Sequence, residues 1–370
     1  MRSLGCRCAL FFFGLIALVA LADAQSLSED HRLQPHLRES IPLIGADRVW
    51  AELGITGKGV SIVVIDDVST ANNDQRCVQL HGLPVSEIVR TVAPDAVILT
   101  FDVASEWDER EQRCLFTNVE EGLRWAVRIA AEQNVRVVNL SFGGDALPGS
   151  CSGTGGGEHE IKRLFRLGVA IVGAAGNDGL SAAISTPACL PEVISVGATY
   201  DASGQLLDSE ICSEVSTVDW LTCYSNRAPS LDLVAPGTVI STSSDPDFSG
   251  TSAATPLVAG VIALMLSANP ALTPEQVRTI LKETGDPAYD PKNDRYFPRV
   301  DAYRAVQEAL RTLTPIPVEP PEQRFDRNGD GRIDDSEILN ALDSWARQEL
   351  SDVEMLHLLD LWITGFAKDI

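Results

Sequence analysis

Apolar residues fall along this chain in short blocks separated by glycine-rich turns. Blocks at 60–65, 96–103, 136–140, 169–173 and 192–196 have the length of strands and read as nearly continuous apolar runs. Between them, 118–132 and 158–167 carry apolar residues at helical spacing, and 252–267 is apolar nearly all round, the pattern of a helix enclosed by a core. Strands buried on both faces and alternating with helices predict an α/β fold, a three-layer sandwich with a mostly parallel central sheet. Chemistry in such a sheet belongs beyond the carboxyl ends of its strands. Asp66 closes the first block.

The amino-terminal segment reads as an address rather than as structure. Arg2 and Arg7 precede an apolar stretch at 9–22, and Ala22-Asp23-Ala24 offers a small-x-small cleavage site, so 1–24 is predicted to be a signal peptide with Gln25 as the mature start. An uncleaved anchor is the alternative. No other segment reaches about 18 uninterrupted apolar residues, so a secreted protein without membrane attachment after signal cleavage is expected. Export also makes sense of the cysteines. Outside the signal segment they are Cys77, Cys114, Cys151, Cys189, Cys212 and Cys223, an even number that favours three disulfides over free buried thiols. Six cysteines permit 15 pairings; proximity in sequence favours Cys212 with Cys223, and Cys77 with Cys114 and Cys151 with Cys189 would then tie loops on either side of the cleft. No Cys-x-x-Cys pair invites zinc.

Candidate chemistry lies at three places. Asp66 ends the strand Val63-Val64-Ile65-Asp66, His81 with Gly82 opens a helix, and Ser252 sits in Gly250-Thr251-Ser252-Ala253-Ala254-Thr255-Pro256. A serine hydroxyl attacks a carbonyl only if a base removes its proton, an imidazole suits that task, and a buried carboxylate holds the imidazole in one tautomer. The remaining histidines, His31, His36, His159 and His357, have no comparable setting. Asn177, in Gly176-Asn177-Asp178-Gly179, offers a side-chain amide for the oxyanion of acyl transfer, where an ordinary Asn-Asp-Gly turn is the plainer reading. The backbone N–H of Ser252, at the start of its helix, is the second candidate donor. Pro256 is expected in the first turn, where its missing N–H costs nothing.

Several stretches, in order, resemble the subtilase family from about residue 41 to 312. They are Gly57-Lys58-Gly59-Val60, Val92-Ala93-Pro94-Asp95-Ala96, Val138-Asn139-Leu140-Ser141-Phe142-Gly143-Gly144, Gly173-Ala174-Ala175-Gly176-Asn177, Val234-Ala235-Pro236-Gly237 and Val300-Asp301-Ala302, together with the order Asp, His, Ser. The resemblance implies a subtilisin-like fold and a serine endopeptidase acting on polypeptides, with Asp66, His81, Ser252 and Asn177 catalytic. It implies a substrate cleft walled by Ser141, Phe142, Gly143 and Gly144 and by Ala174, Ala175 and Gly176. No acid stands in those motifs, so a broad or apolar preference at the residue before the scissile bond is expected. The chain departs from the family pattern at Leu83 and Pro84 after the histidine and at Asp67 and Val68 after the aspartate. Asp67 is expected to face solvent across the strand from Asp66. The short stretch between Asp66 and His81 has no room for the calcium loop many subtilisins carry, and the leader at 25–40 is short for a folded pro-domain. A catalytically silent subtilase-fold scaffold is the alternative function.

Composition breaks at 313–322, a proline-rich linker expected to be extended. The module at 323–366 opens with Asp326-Arg327-Asn328-Gly329-Asp330-Gly331-Arg332-Ile333-Asp334-Asp335-Ser336-Glu337, the pattern of a twelve-residue EF-hand calcium loop. Asp326, Asn328, Asp330 and Glu337 would supply side-chain oxygens, Arg332 its carbonyl, and Gly331 the sharp turn. The stretch at 333–345 repeats at 350–362, pairing Leu339 with Leu356, Leu342 with Leu359 and Trp345 with Trp362, while the ion loop is not repeated. This small α-helical module resembles a dockerin or half of one, which implies one Ca2+ and docking to a cohesin-like partner, beside a purely structural role as a calcium-stapled tail. No cofactor is expected for the chemistry itself. A formal net charge of −23 argues against nucleic acid or an anionic membrane as partner.

Overall fold

The first apolar block becomes strand β1, Ser61–Asp66, buried along its whole length. The computed structural model describes residues 37, 39–69, 80–103, 105–109, 113–153, 157–208, 211–238, 242–313, 325–326, 333–347 and 352–366. The chain divides into two compact units, Met1–Leu310 and Arg311–Ile370. In the first, β1 is followed by β2 Val97–Asp102, β3 Val135–Leu140, β4 Ala170–Ala174, β5 Val193–Thr199 and β6 Leu233–Pro236. A hairpin, β7 Asp286–Asp290 and β8 Arg295–Arg299, completes an eight-stranded sheet in the order β7-β8-β6-β5-β4-β3-β1-β2. Every neighbouring pair is parallel except β7 with β8. The sequence pattern does not announce that hairpin, whose strands mix prolines, tyrosines and charges instead of forming an apolar run.

Successive residues of a strand face opposite sides of the sheet, and both sides of β1 are enclosed. Ile62 and Val64 join one core with α1, Gly82–Val92, and α4, Thr251–Ala268, and also with α5, Pro274–Thr284, and α6, Ala302–Arg311. Val63 and Ile65 join a second core with Leu123 and Ala126 of α2, Val119–Ile129, and Ile161 and Leu164 of α3, Glu158–Arg166. The result is the α/β three-layer arrangement with a mostly parallel sheet. Among the described residues α4 is the one helix long and apolar enough to cross a membrane, and 89% of it is buried inside the protein, as a core helix should be.

Two disulfides close: Cys212–Cys223, the pair that sequence proximity favours, and Cys151–Cys189, the pair expected beside it. The expected Cys77–Cys114 bridge involves a cysteine outside the described residues, as do the signal peptide and nearly all of the leader and linker.

Among the described residues of the second unit are the helices α7, Asp335–Ala346, and α8, Asp352–Phe366. Asp334 caps α7: its Oδ1 accepts from the N–H groups of Ser336 and Glu337, and Glu337 Oε2 accepts in return from the N–H of Asp334 at 3.0 Å. Phe325 and Ile333 pack with Ile338, Ala341, Met355 and Leu358 in one small core. Of the expected calcium ligands, Asp326 and Glu337 are described, whereas Asn328, Asp330 and Arg332 lie outside the described residues. Among the described residues no cluster of three or more His, Cys, Asp or Glu side chains is poised for a metal.

Candidate active site

Asp66 is the last residue of β1, in register with Asp102 of β2. Its carboxylate is fully buried, and Oδ1 accepts from the N–H of Asp67 and from Nδ1–H of His81, each at 2.8 Å. Among the described residues, Oδ2 finds no hydrogen-bond partner. Asp102 shapes the turn that follows: Oδ1 accepts from the N–H groups of Val68 and Ser69 at 3.0 and 2.9 Å, and Oδ2 from the Ser69 hydroxyl at 2.6 Å.

His81 caps α1, and Gly82 explains how the helix comes close enough to β1. A Cβ on Gly82 would lie 2.5 Å from Val68 Cγ1, 2.8 Å from Asp66 Cβ and 2.9 Å from the carbonyl oxygen of Asp67, and the Gly82 N–H donates to that same carbonyl at 2.6 Å. The imidazole is one-fifth exposed and lies edge-to-face with Phe248 and Phe116, ring centres 5.2 and 6.2 Å away. Burial alone would favour the neutral ring. The Asp66 carboxylate, by charge and hydrogen bond, with further negative charge from Asp67 and Asp245, overcomes that and raises the imidazole pKa above its ordinary value.

Asp67 therefore corrects an expectation. It is fully buried rather than turned to solvent. Strand alternation stops at Asp66, because the chain bends there into the turn held by Asp102 and by the Gly82 N–H, and the two-residue period no longer dictates where a side chain faces.

On the other side of the site, Ser252 is the second residue of α4, and β3 is stapled to it. The Ser252 hydroxyl donates to the Ser141 carbonyl at 2.7 Å rather than to His81, while Ser141 Oγ donates to the Ser252 carbonyl at 3.0 Å and accepts from Asn139 Nδ2 at 2.9 Å. This pair accounts for Pro256, which stands in the second turn of α4 and not in the first. Its missing N–H would have bonded the carbonyl four residues back, that of Ser252. Ser141 fills the vacancy from another element.

Asn177, in the loop after β4, is aligned by Thr251. Its Oδ1 accepts from both the N–H and the hydroxyl of Thr251 at 2.9 Å, and Nδ2, beside Gly250, has no hydrogen-bond partner among the described residues. Ala253 and Ala254 direct their N–H groups to the Gly250 carbonyl. Among the described residues, the N–H of Ser252 is the donor of that first turn left without a partner.

A cleft of about 200 Å³ opens beside Ser252 and Asn177, lined by these two with Phe142, Gly143, Gly144, Ala174, Gly176, Asp178, Ser185 and Thr251; Asp66 and His81 are not part of its lining. Two residues expected on its wall are elsewhere. Ser141 is fully buried beneath it, in the contacts to Ser252, and Ala175 is fully buried in the core, its N–H donating to Val196 and its carbonyl accepting from Ser185. Sequence reasoning missed Phe116, Phe248, Asp178 and Ser185. For the two phenylalanines no spacing rule points to the histidine, whereas Asp178 was visible as the neighbour of Asn177.

With these positions in view, relatives can be compared. A model of the Subtilase family matches residues 57–302. This chain belongs to the subtilase family. It is 28% identical over 227 residues to the serine protease AprX of Bacillus subtilis strain 168, covering 55% of this chain and 50% of AprX, so the match spans half of that relative's length. Subtilisin NAT of Bacillus subtilis subsp. natto is 27% identical over 295 residues, 70% of this chain and 69% of that one. Among solved structures, a protease of Pseudoalteromonas arctica PAMC 21717 superposes with a TM-score of 0.56 at 21% identity, over 75% of this chain and 99% of that one, a likeness of fold. In this subtilase the Asp66–His81 pair, the Ser252 turn and the Asn177 loop all fall within the matched span.

Proposed function

We propose that the protein is an exported serine peptidase that hydrolyses polypeptides through an acyl-enzyme. The observation that carries this reading is the 2.8 Å hydrogen bond between buried Asp66 and His81 Nδ1, which sets the ring's outer nitrogen free to act as the base. Rotation of Ser252 about Cα–Cβ releases its hydroxyl from the Ser141 carbonyl. His81 then takes the proton as Oγ attacks the scissile carbon and returns it to the leaving amine, while Asp66 stabilises the imidazolium. Asn177 Nδ2 and the Ser252 N–H receive the oxyanion, in a geometry preorganised by Thr251 and by the start of α4. The silent-scaffold alternative draws no support from the site.

Asp178 changes the expected substrate preference. A carboxylate lines the cleft, with Oδ2 held by Asn226 Nδ2 at 2.9 Å. It favours Arg or Lys before the scissile bond over the broad or apolar choice. Quenched peptides differing at that one residue test both points. Cleavage after Arg that disappears in Ser252→Ala and falls in Asp178→Asn is expected. Cleavage persisting in Ser252→Ala contradicts the peptidase mechanism, and equal turnover of Leu and Arg peptides contradicts the role of Asp178.

The second unit is read as the calcium module. Glu337 is buried at the first turn of α7, and Phe325, just before the twelve-residue loop, and Ile333, its eighth residue, sit in the same core. With Asp326 it offers the oxygen donors that Ca2+ favours. Asp326, Asn328, Asp330, Arg332 through its carbonyl, and Glu337 would hold the ion. Its contribution would be to brace the unit, with no part in peptide hydrolysis. Exposed Leu339, Leu342 and Leu356 are the surface a cohesin-like partner would meet. The two disulfides fit an oxidising, extracellular location.

A further inference from the structure

The loop that carries Asn177 has no regular structure of its own, yet one other segment holds its backbone at nearly every step. The N–H of Asn226 donates to the Gly176 carbonyl at 2.9 Å, just before Asn177. Asn226 Oδ1 accepts from the N–H groups of Asp178 and Leu180, just after it, at 3.1 and 2.9 Å. Asn226 Nδ2 donates to Asp178 Oδ2 at 2.9 Å and to Ser185 Oγ at 3.4 Å. The N–H of Gly179 donates to the Tyr224 carbonyl at 2.7 Å, and the N–H of Arg227 to the Leu180 carbonyl at 2.9 Å.

Asn226 is fully buried, and all four hydrogen-bonding capacities of its amide are used. An aspartate at this place would lose both donors and set a second carboxylate against Asp178. Lys292, in the turn between β7 and β8, closes the arrangement from outside. Its Nζ donates to the Gly179 carbonyl at 3.1 Å and to the Cys223 carbonyl at 2.7 Å, joining the loop to the segment that holds it. The Cys212–Cys223 disulfide ties the first residue of that segment to the preceding chain.

We infer that Asn226, assisted by Lys292, is the positioning residue for the oxyanion donor Asn177, bracketing it from both sides and acting on kcat through it, apart from its contact to Asp178, which bears on substrate preference. The inference rests on the peptidase reading above. Neither side chain touches the reacting atoms. Their effect is to keep the Asn177 amide at one place while substrate charge develops.

A double-mutant cycle on the full-length protein, with peptide turnover as the readout, tests this. Asn177→Ala should lower kcat by about 10²–10³, the usual loss for one oxyanion donor. On a peptide with an uncharged residue before the scissile bond, where the contact to Asp178 carries no weight, Asn226→Ala should lower kcat roughly 10- to 100-fold with KM nearly unchanged, the pattern of a misplaced transition-state donor. Lys292→Met should lower kcat by about threefold to tenfold, and Lys292→Arg should restore it because the carbonyl contacts survive. In the Asn177→Ala background both losses should shrink to less than about twofold. If Asn226→Ala fails to fold, the surface substitutions at Lys292 carry the test alone. The same losses recurring in the Asn177→Ala background, or folded variants with unchanged kcat in an active wild type, overturn the positioning role and leave the peptidase reading intact. A wild type that turns over no peptide overturns both.

Discussion

Replacing Gly82 with alanine tests how closely the histidine helix must approach β1. The added Cβ would meet Val68 Cγ1 at 2.5 Å and Asp66 Cβ at 2.8 Å, where ordinary contact begins at 3.4 Å. To regain contact the start of α1 must therefore retreat by up to about 0.9 Å, or Val68 and the end of β1 must yield. The third neighbour is the carbonyl oxygen of Asp67, backbone that cannot rotate away, and it is also the acceptor for the Gly82 N–H. Retreat of α1 moves His81 with it and stretches the 2.8 Å bond to Asp66. Overpacking of this kind costs about 1–3 kcal/mol of stability. A catalytic group misplaced by 1 Å loses about 10²-fold in rate, which bounds the effect on kcat/KM from above. Thermal unfolding and peptide turnover on the same preparation separate the two effects. A Gly82→Ala enzyme within twofold of wild type in kcat/KM, with an unchanged melting temperature, would refute the reasoning.

Three further outcomes follow from the same contacts. Ser141→Ala leaves the Ser252 carbonyl buried without a donor, since Pro256 cannot supply one, and should cost about 1–3 kcal/mol; an unchanged denaturation midpoint would count against the stapling of β3 to α4. In the proposed mechanism His81 acts as the base in its neutral form, so kcat/KM should fall as pH drops through a His81 pKa above the ordinary histidine value, and Asp67→Asn should move that limb to lower pH; a folded variant with an unshifted limb contradicts the role given to the Asp67 charge. The same raised pKa lets protonated His81 stabilise the fold, fully below its unfolded-state pKa and progressively less as pH rises through the folded value, so activity and this increment of stability change in opposite senses. Calorimetric titration of the full-length protein should show calcium binding that Glu337→Gln weakens, with peptide turnover unaltered; affinity indifferent to that substitution would remove Glu337 from the ion site.

Burial on both faces of the sheet made the central strands legible, because it turns each strand into an apolar run, and α4, apolar nearly all round, read as a core helix. The order of Asp66, His81 and Ser252 and the short motifs around them pointed to the candidate site. What periodicity could not reach lies where the chain leaves regular structure. Asp67 is buried because the strand ends one residue earlier. Ser141 and Ala175 lie within motifs that border the cleft, yet Ser141 faces α4 and Ala175 faces the core. Pro256 needed a tertiary partner to make sense, since a residue 115 positions away supplies the hydrogen bond that compensates for it. The edge hairpin of β7 and β8 puts only Ala288 and Phe297 into the core among the described residues, and pairing and Arg299, which reaches Asp219 and Asp286, hold it as well. Phe116 and Phe248 flank His81 from segments that only the fold brings together.

Covalent labelling of Ser252 by a fluorophosphonate, located by mass spectrometry of the digested protein, measures the activation of that hydroxyl most directly. Rapid labelling at Ser252 alone, lost in Ser252→Ala and slowed by orders of magnitude in His81→Ala, is the result expected of a serine activated by the Asp66–His81 pair. A folded wild-type protein that remains unlabelled, or a His81→Ala variant labelled as fast as wild type, would contradict it.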